Sequence, residues 1–383
     1  MIFTDLRFLV LFLGCWVMFT ALSRRSRPAV LAIWGLLFYA IYAGAALVLV
    51  LLLTAGVVVA RGRWQAIAAG AAIVALLVWF KLGDASLLPG LTGASAVIVP
   101  LGFSYLSFEL LHLLIERRRG RIGEITLTKT LAFIFFFPCR IAGPIRRYPE
   151  FMAAVDAASP SASDVHDGLL RILLGLAKKF VVADTLALTV AELEFVQTPA
   201  HAWVVVLAFS FQLLCDFSAY SDLAIGFSRT LGMRVPENFN YPYLATNIRE
   251  FWNRWHITLS TWVRDYIFVP TGRRLFATSL RPYPSVIAAV SFLVTFASVG
   301  GWHGLTASYL VWGLYHGLLL AMHHAFQAHM PMAIAGSRWY RSSIGSALGV
   351  AVTFMCVTIG WLPFMTNLDR ARQLFSLMIG VSR

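Results

Sequence analysis

The stretch 247–272, NIREFWNRWHITLSTWVRDYIFVPTG, decides how the chain is read. At helical period it separates into two faces. Arg249, Asn253, His256, Ser260 and Arg264 step by four, three, four and four, which makes one polar stripe. Ile248, Trp252, Trp255, Leu259 and Trp262 make an apolar stripe rich in tryptophan beside it. Asn247 followed by Glu250 has the spacing of a capping box, and Pro270 with Gly272 is expected to end the helix. A basic amphipathic helix with tryptophans suits the membrane–water boundary. A surface anchor would show the same two faces, but it has no need of an imidazole between Asn253, Arg254 and the rest of the polar stripe.

Composition sets the class. The chain has 383 residues, of which 59% are hydrophobic and 13% charged. An average soluble domain carries roughly 25% charged residues. The mean hydropathy of +0.75 points to an all-α polytopic membrane protein, read as a single membrane-embedded domain over 1–383. The formal net charge is +13. In a soluble protein that would raise nucleic acid as a partner. Here the basic residues cluster between apolar runs, so positive-inside orientation accounts for them and no nucleic acid is expected. The cysteines at 15, 139, 215 and 356 stand singly in apolar segments and read as small buried hydrophobes.

Outward from the deciding stretch, the apolar runs give about ten or eleven membrane elements. The first covers 6–22, and the arginines at 24, 25 and 27 mark it as a retained span. Residues 28–60 fit two crossings that turn near Gly44, 64–80 a further one, 81–93 a loop, and 95–115 another span. The arginine clusters after 22, 60 and 115 fall on one side if the N-terminus lies outside. Residues 131–145, LAFIFFFPCRIAGPI, are broken by Pro138, Gly143 and Pro144 and read as re-entrant. Arg140, Arg146 and Arg147 crowd its end, either as a cytoplasmic cap or as an anion site, with the cap preferred.

The run 165–193 holds Lys178 and Lys179, which snorkel or line a pathway. The run 202–231 carries Asp216 and Asp222. Carboxylates inside a membrane are costly and therefore default to function, unless the helix ends near Asp216. Spans at 284–299, 305–325 and 344–364 follow, and 370–383 reads as a short tail.

Two histidines fall within this last part. His303 sits in Gly300-Gly301-Trp302-His303-Gly304, where glycines let backbone approach closely. A buried imidazole is expected to be neutral and able to take a proton near pH 7. Packing against a backbone carbonyl is the competing explanation. His316, 13 positions on, would face away from His303 on one continuous helix and is given a supporting place. No nucleotide-binding, nucleophile-elbow or metal-cluster motif is present, so no metal and no tightly bound cofactor are expected.

Several stretches carry a resemblance to a known family. EFWNRWHITLSTWVRDYIF at 250–268 and WHGLTASYLVWGLYHG at 302–317 resemble the membrane-bound O-acyltransferases. So do VPLGFSYLSFELL at 99–111, FFFPCRIAGPIRRYPEF at 135–151 and DFSAYSDLAIGFSRTLGMRVPENFNYPY at 216–243. The resemblance implies a ring of helices, some re-entrant or interfacial, around a central funnel. It implies His303 as general base on an acceptor hydroxyl, and His256 as the residue that positions a cytoplasmic acyl thioester or polarises its carbonyl. Asn253, Arg254, Trp255, Arg264, Asp265 and Asn240 become candidate substrate contacts. Trp302 would exclude water, and Asp216 takes a secondary place with His316. The donor implied is acetyl-CoA. The acceptor implied is an exported polysaccharide, reached through an extracytoplasmic acetyltransferase partner, because no such domain is seen in this sequence. The setting implied is a bacterial cytoplasmic membrane.

Within the family, PENFNYPY and LSTW look like the polysaccharide-acetylating branch that includes the alginate type. NRWH and the compact length look like the branch that transfers D-alanyl groups from a carrier protein. Pro270-Thr271-Gly272-Arg273 departs from the alginate pattern, so an acetylated polymer such as cellulose fits equally well. A transporter using Asp216, Lys178 and the histidines as an ion path is the reading from another class, and the lack of inverted repeats counts against it.

Overall fold

In the computed structural model, residues 1–82, 100–329 and 342–381 are described. The loop expected at 81–93 and the first residues of the span expected at 95–115 lie mostly outside them. The described residues form helices and turns with no strand, as the apolar runs predict. Among them, helices at Arg24–Ala43, Arg63–Leu82, Pro199–Thr230, Pro284–His303 and Ser343–Met365 are long and apolar enough to cross a membrane. The chain is therefore a multi-pass membrane protein. Leu6–Ala21, Ala46–Val59 and Leu127–Cys139 are shorter apolar helices.

The chain forms two compact units. The first holds described residues 1–82, 100–179 and 217–237. Its helices are α1 (Leu6–Ala21), α2 (Arg27–Ala43), α3 (Ala46–Val59), α4 (Arg63–Leu82), α5 (Phe103–Arg118), α6 (Leu127–Ile134), α7 (Tyr148–Ala157) and α8 (Ala162–Ala177). The expected turn between α2 and α3 falls at Gly44, whose φ of 53° is open to glycine at little cost. The core is an interlock of phenylalanines. Phe227 meets Phe8 at 5.1 Å and Phe12 at 4.6 Å, and Phe38 stacks on Phe137 at 5.2 Å.

Two clusters of buried charge correct the sequence reading of this unit. Arg140 and Arg146 do not cap a cytoplasmic end. Both are buried, and both bind Glu109, at 2.9 and 2.6 Å. Phe133, Phe136 and Phe151 surround the Arg146 guanidinium at 4.8–5.1 Å. The two guanidiniums share this one carboxylate, so removing Glu109 would strand both buried positive charges. In the second cluster Asp222, also buried, accepts from Arg171 and Lys178, each at 2.6 Å, while the other arm of Arg171 reaches Glu237. Lys178 therefore pairs with a carboxylate instead of snorkelling. It opens a π-helical segment, Lys178–Ala183.

The second unit holds described residues 180–216, 238–329 and 342–381. It contains α9 (Asp184–Val190) and the first part of α10 (Pro199–Thr230), which runs past Asp216 without ending there. Then come α11 (Ile248–Arg254), α12 (Ile257–Val263), α13 (Val269–Phe276), α14 (Pro284–His303), α15 (Ala307–His329), α16 (Ser343–Gly360), α17 (Leu362–Met365) and α18 (Leu368–Met378). The expected C-terminal tail is in fact α18. Asn367 caps it, Leu374 and Met378 pack with Val205 and Val206, and the Trp203 indole donates to the Met378 carbonyl at 3.0 Å.

α14 and α15 form a hairpin whose seam is set by glycine. A Cβ on Gly313 would stand 2.2 Å from the Phe296 carbonyl oxygen, and one on Gly300 would stand 2.3 Å from that of Tyr309. No rotamer change relieves a clash with backbone. Gly313→Ala should therefore cut the yield of monodisperse protein in detergent several-fold. Gly56→Ala, with nothing within 4 Å of the added methyl, should leave it equal or stabilise the fold by about 0.4–1 kcal/mol. Size-exclusion profiles and melting curves of the two variants check this.

Candidate functional site

The stretch read as one helix is broken once, and the break makes the site. Asn247 does cap α11, its Oδ1 accepting the Glu250 N–H at 2.9 Å. The return contact of the box falls one residue early. The Glu250 carboxylate accepts from the Thr246 N–H and hydroxyl, both at 2.7 Å, and pairs with Arg254 at 2.6 Å. Burial pushes the Glu250 carboxyl up, but the two Thr246 donors and Arg254 together outweigh it and hold the group below its ordinary value.

α11 stops at Arg254. Trp255 is extended and His256 adopts φ 43° and ψ 52°, the left-handed region. For a residue with a side chain this is uncommon, and it clusters at functional positions. The backbone freed by the break is met by the loop before the helix. The Asn240 N–H donates to the Arg254 carbonyl at 3.0 Å, and the Ile257 N–H donates to the Asn238 carbonyl at 2.9 Å. The result corrects the stripe. Arg249 and Asn253 stay on the outer face of α11, whereas His256 turns inward and is 3% exposed. Pro270 and Gly272 end nothing, since a π-helical segment, Arg264–Phe268, leads straight into α13 with Pro270 in its first turn.

Asn238 fixes the inward imidazole. Its Oδ1 accepts from the Thr258 N–H at 3.3 Å and the Thr258 hydroxyl at 2.8 Å, and stands 3.1 Å from His256 Nδ1. A backbone N–H can only donate, so the amide orientation is set and Nδ1 of neutral His256 carries the proton. Nε2 then holds the lone pair and acts as an acceptor. Asn238 lies within PENFNYPY, where sequence reading did not single it out. Its signal was an asparagine two residues before another, just upstream of the capped helix.

His303 ends α14, where Gly304 turns the backbone to extended geometry. It is partly exposed, unlike His256. Aromatic rings flank it: Trp302 at 4.6 Å, Phe364 at 4.9 Å and Trp312 at 5.2 Å. One aromatic cluster links the two histidines that the sequence keeps 47 positions apart: Phe364 lies against His303 and Trp361, and Trp361 against Trp255, the residue before His256. His316 is not on the helix of His303. It lies on α15, fully buried, with its ring 5.3 Å from Trp312 and 5.1 Å from Trp252. Trp312 thus touches both rings, and the two histidines do not point away from each other along one helix.

A cavity of about 460 Å³ opens beside α11 and the hairpin. Of the catalytic and substrate-contact candidates named from sequence, Asn253 and Arg264 line it; neither His303 nor His256 does. Trp252 is part of its wall and also contacts His316 and Trp312. The others stand elsewhere. Arg254 is held by Glu250, and Asp265 pairs with Arg264 at 3.0 Å. Trp255 is buried between Phe251 and Trp361. Asn240 contributes backbone to the break, with its side chain exposed, and Asp216 is exposed on α10. Sequence reading missed the convergence of Arg249 with His323 and His324 on this cavity. The residues come from separate helices, so no spacing announced it.

Comparison with known proteins bears on this arrangement. The profile of the MBOAT, membrane-bound O-acyltransferase family, matches residues 3–362. The chain is 34% identical over 287 residues to the probable alginate O-acetylase of Pseudomonas aeruginosa, covering 74% of this chain and 52% of that protein. It is 32% identical over 278 residues to the teichoic acid D-alanyltransferase of Bacillus subtilis, covering 69% and 68%. A peptidoglycan O-acetyltransferase of Helicobacter pylori is 33% identical over 261 residues, covering 65% and 46%. The chain spans about half the length of the first of these relatives.

Asn238→Ala would leave the buried Thr258 donors and the imidazole Nδ1–H without their acceptor. Each orphaned donor costs about 1–3 kcal/mol. The variant should melt clearly below the unaltered protein in detergent, and an unchanged melting curve would show that Asn238 does not hold the break.

Proposed function

For this chain, which belongs to the membrane-bound O-acyltransferase family, we propose that it transfers an acyl group from a thioester to a hydroxyl, with His303 as general base. The observation that carries the reading is the placement of a partly exposed histidine, on the glycine-rich end of α14, in the same aromatic cluster as the neighbour of a second histidine of fixed tautomer. His303 takes the proton of the acceptor hydroxyl as its oxygen attacks the thioester carbonyl carbon. The carbon–sulfur bond breaks, and the departing thiolate is protonated in turn. Positioned base catalysis of this kind contributes about 10²–10⁴-fold.

The tautomer divides the two roles proposed for His256. With the proton on Nδ1, Nε2 accepts a hydrogen bond and cannot donate one to a carbonyl oxygen. His256 therefore positions the donor and does not polarise it. Trp302, against the His303 ring, shields the reacting groups from water.

The likeness to alginate and peptidoglycan O-acetylating proteins supports an acetyl group, with acetyl-CoA as donor and an exported polysaccharide as acceptor. In this reading the chain resides in the cytoplasmic membrane with its N-terminus outside, and an extracytoplasmic acetyltransferase partner completes transfer to the sugar. The second reading is aminoacyl transfer from a carrier protein. It is favoured by the larger share of the D-alanyltransferase that the chain covers, 68% against 52%. Labelling of an acceptor by acetyl-CoA with no carrier present separates the two.

His303→Ala should lower acetylation of the exported polysaccharide by at least about 10²-fold while the protein still inserts. Mass spectrometry of the polymer, with membrane levels of the variant measured alongside, checks it. Acetylation at the unaltered level rules His303 out as the base.

A further inference from the structure

Away from the histidines, the first unit carries a groove of about 380 Å³ between α4 and α5. Ala66, Ile67 and Gly70 form one wall, and Leu111, Leu114 and Ile115 form the other. A Cβ on Gly70 would stand 3.8 Å from both Leu111 and Leu114, which sets this glycine against those two leucines. Arg63, Arg118 and Arg119 line the opposite end. The two helices are therefore antiparallel across the groove, with the cations together at its mouth. At a rise of 1.5 Å per residue, Arg63 to Gly70 spans about 10 Å.

The cations outnumber their counter-charges. Among the described residues of 61–121, arginines stand at 61, 63, 117, 118, 119 and 121, and the carboxylates are Glu109 and Glu116 alone. Glu109 is held by Arg140 and Arg146, and Glu116 takes both Arg119, at 2.9 Å, and Arg121, at 3.4 Å. Arg117 donates to the Val57 and Val58 carbonyls at the end of α3. The side chains of Arg63 and Arg118 are exposed and form no hydrogen bond or ion pair among the described residues. Arg63 lies 5.4 Å from the ring of Trp64, which is 75% exposed. An exposed indole beside an arginine suits the headgroup level of a bilayer. With the mouth at that level, 10 Å of apolar wall reaches most of the way through one leaflet, which contributes about 15 Å of hydrocarbon. By the positive-inside rule it is the cytoplasmic leaflet.

A ligand that fills this groove has an anionic head and an apolar tail lying in the same leaflet. We infer that the groove seats an anionic phospholipid, its phosphate bound by Arg63 and Arg118 and one acyl chain running between α4 and α5 past Ile67 to Gly70. A guanidinium fork can donate two hydrogen bonds to phosphate oxygens, and basic pockets between membrane helices recognise anionic headgroups. Ala66 and Gly70 are small enough to admit a partner helix as well. Such a helix leaves both guanidiniums unbound unless it also ends in carboxylates, whereas the lipid brings anion and chain in one molecule. The inference stands apart from the acyl-transfer reading, since no step of transfer passes through α4 or α5.

Lipid binding to the purified full chain in detergent, read by native mass spectrometry, tests it. The probes are phosphatidylglycerol and phosphatidylcholine with the same acyl chains, one anionic and one zwitterionic. Phosphatidylglycerol should bind the unaltered protein at least about tenfold more tightly. The double variant Arg63→Gln with Arg118→Gln should abolish that preference. The double variant Arg24→Gln with Arg25→Gln removes two exposed arginines that lie outside the groove, and it should keep the preference. Gly70→Leu, which puts a side chain into the groove, should weaken phosphatidylglycerol several-fold. Equal binding of the two lipids by the unaltered protein overturns the inference without depending on any variant. A preference that survives loss of Arg63 and Arg118 overturns it, and so does one lost equally with Arg24 and Arg25. Glycerophosphoglycerol, the headgroup without chains, binding as tightly as the whole lipid shows that the groove holds no chain and overturns it too. A photo-crosslinking residue at position 67 should label lipid in native membranes; a second polypeptide labelled in its place assigns the groove to a partner helix and overturns the lipid.

Discussion

Two backbone hydrogen bonds, from Asn240 to Arg254 and from Ile257 to Asn238, make the site possible. A helix broken among apolar surroundings exposes peptide groups that no water reaches, and each unsatisfied group costs several kcal/mol. The loop 238–240 supplies the missing partners on both sides of His256. The same loop delivers the Asn238 side chain that sets which imidazole nitrogen carries the proton. Backbone repair and tautomer selection are thus one piece of structure, and the left-handed strain at His256 is held in place from both flanks.

The apolar runs were legible because a membrane imposes a long, blunt signal: length, composition and arginine placement located the turn at Gly44, the ends of α4 and the hairpin around 304. Breaks inside an amphipathic segment leave no such mark. The polar stripe from Arg249 to Arg264 fits a single helix by spacing, and only a contact with a loop eight or more residues upstream divides it. His256 looked wet because its neighbours Arg249 and Asn253 are wet, yet one αL residue rotates it into the core. His316 was misplaced for the matching reason. Counting 100° per residue assumes the helix continues, and Gly304 ends it.

Buried charge was the other blind spot. Arg140 and Arg146 follow a proline-broken apolar run, which resembles an exit to the cytoplasm. Their partner, Glu109, lies more than thirty residues away on α5. Local pattern reveals a charge but not its counter-charge, so the sequence favours an exposed end where the fold has an ion cluster. Asp222 with Arg171 and Lys178 repeats the lesson. The carboxylate that drew attention, Asp216, is exposed, and the one that is buried is neutralised by cations from α8 and the π-helical segment after it.

The aromatic packing around the histidines has an optical consequence. Trp312 lies nearly parallel to Trp361 at 6.1 Å, and Trp361 in turn approaches Trp255 at 5.1 Å, while Trp252 meets Trp312 edge-on. Indoles this close couple their excited states. The protein's own ultraviolet absorption and dichroism therefore report on the few side chains that surround the chemistry, with no dye attached.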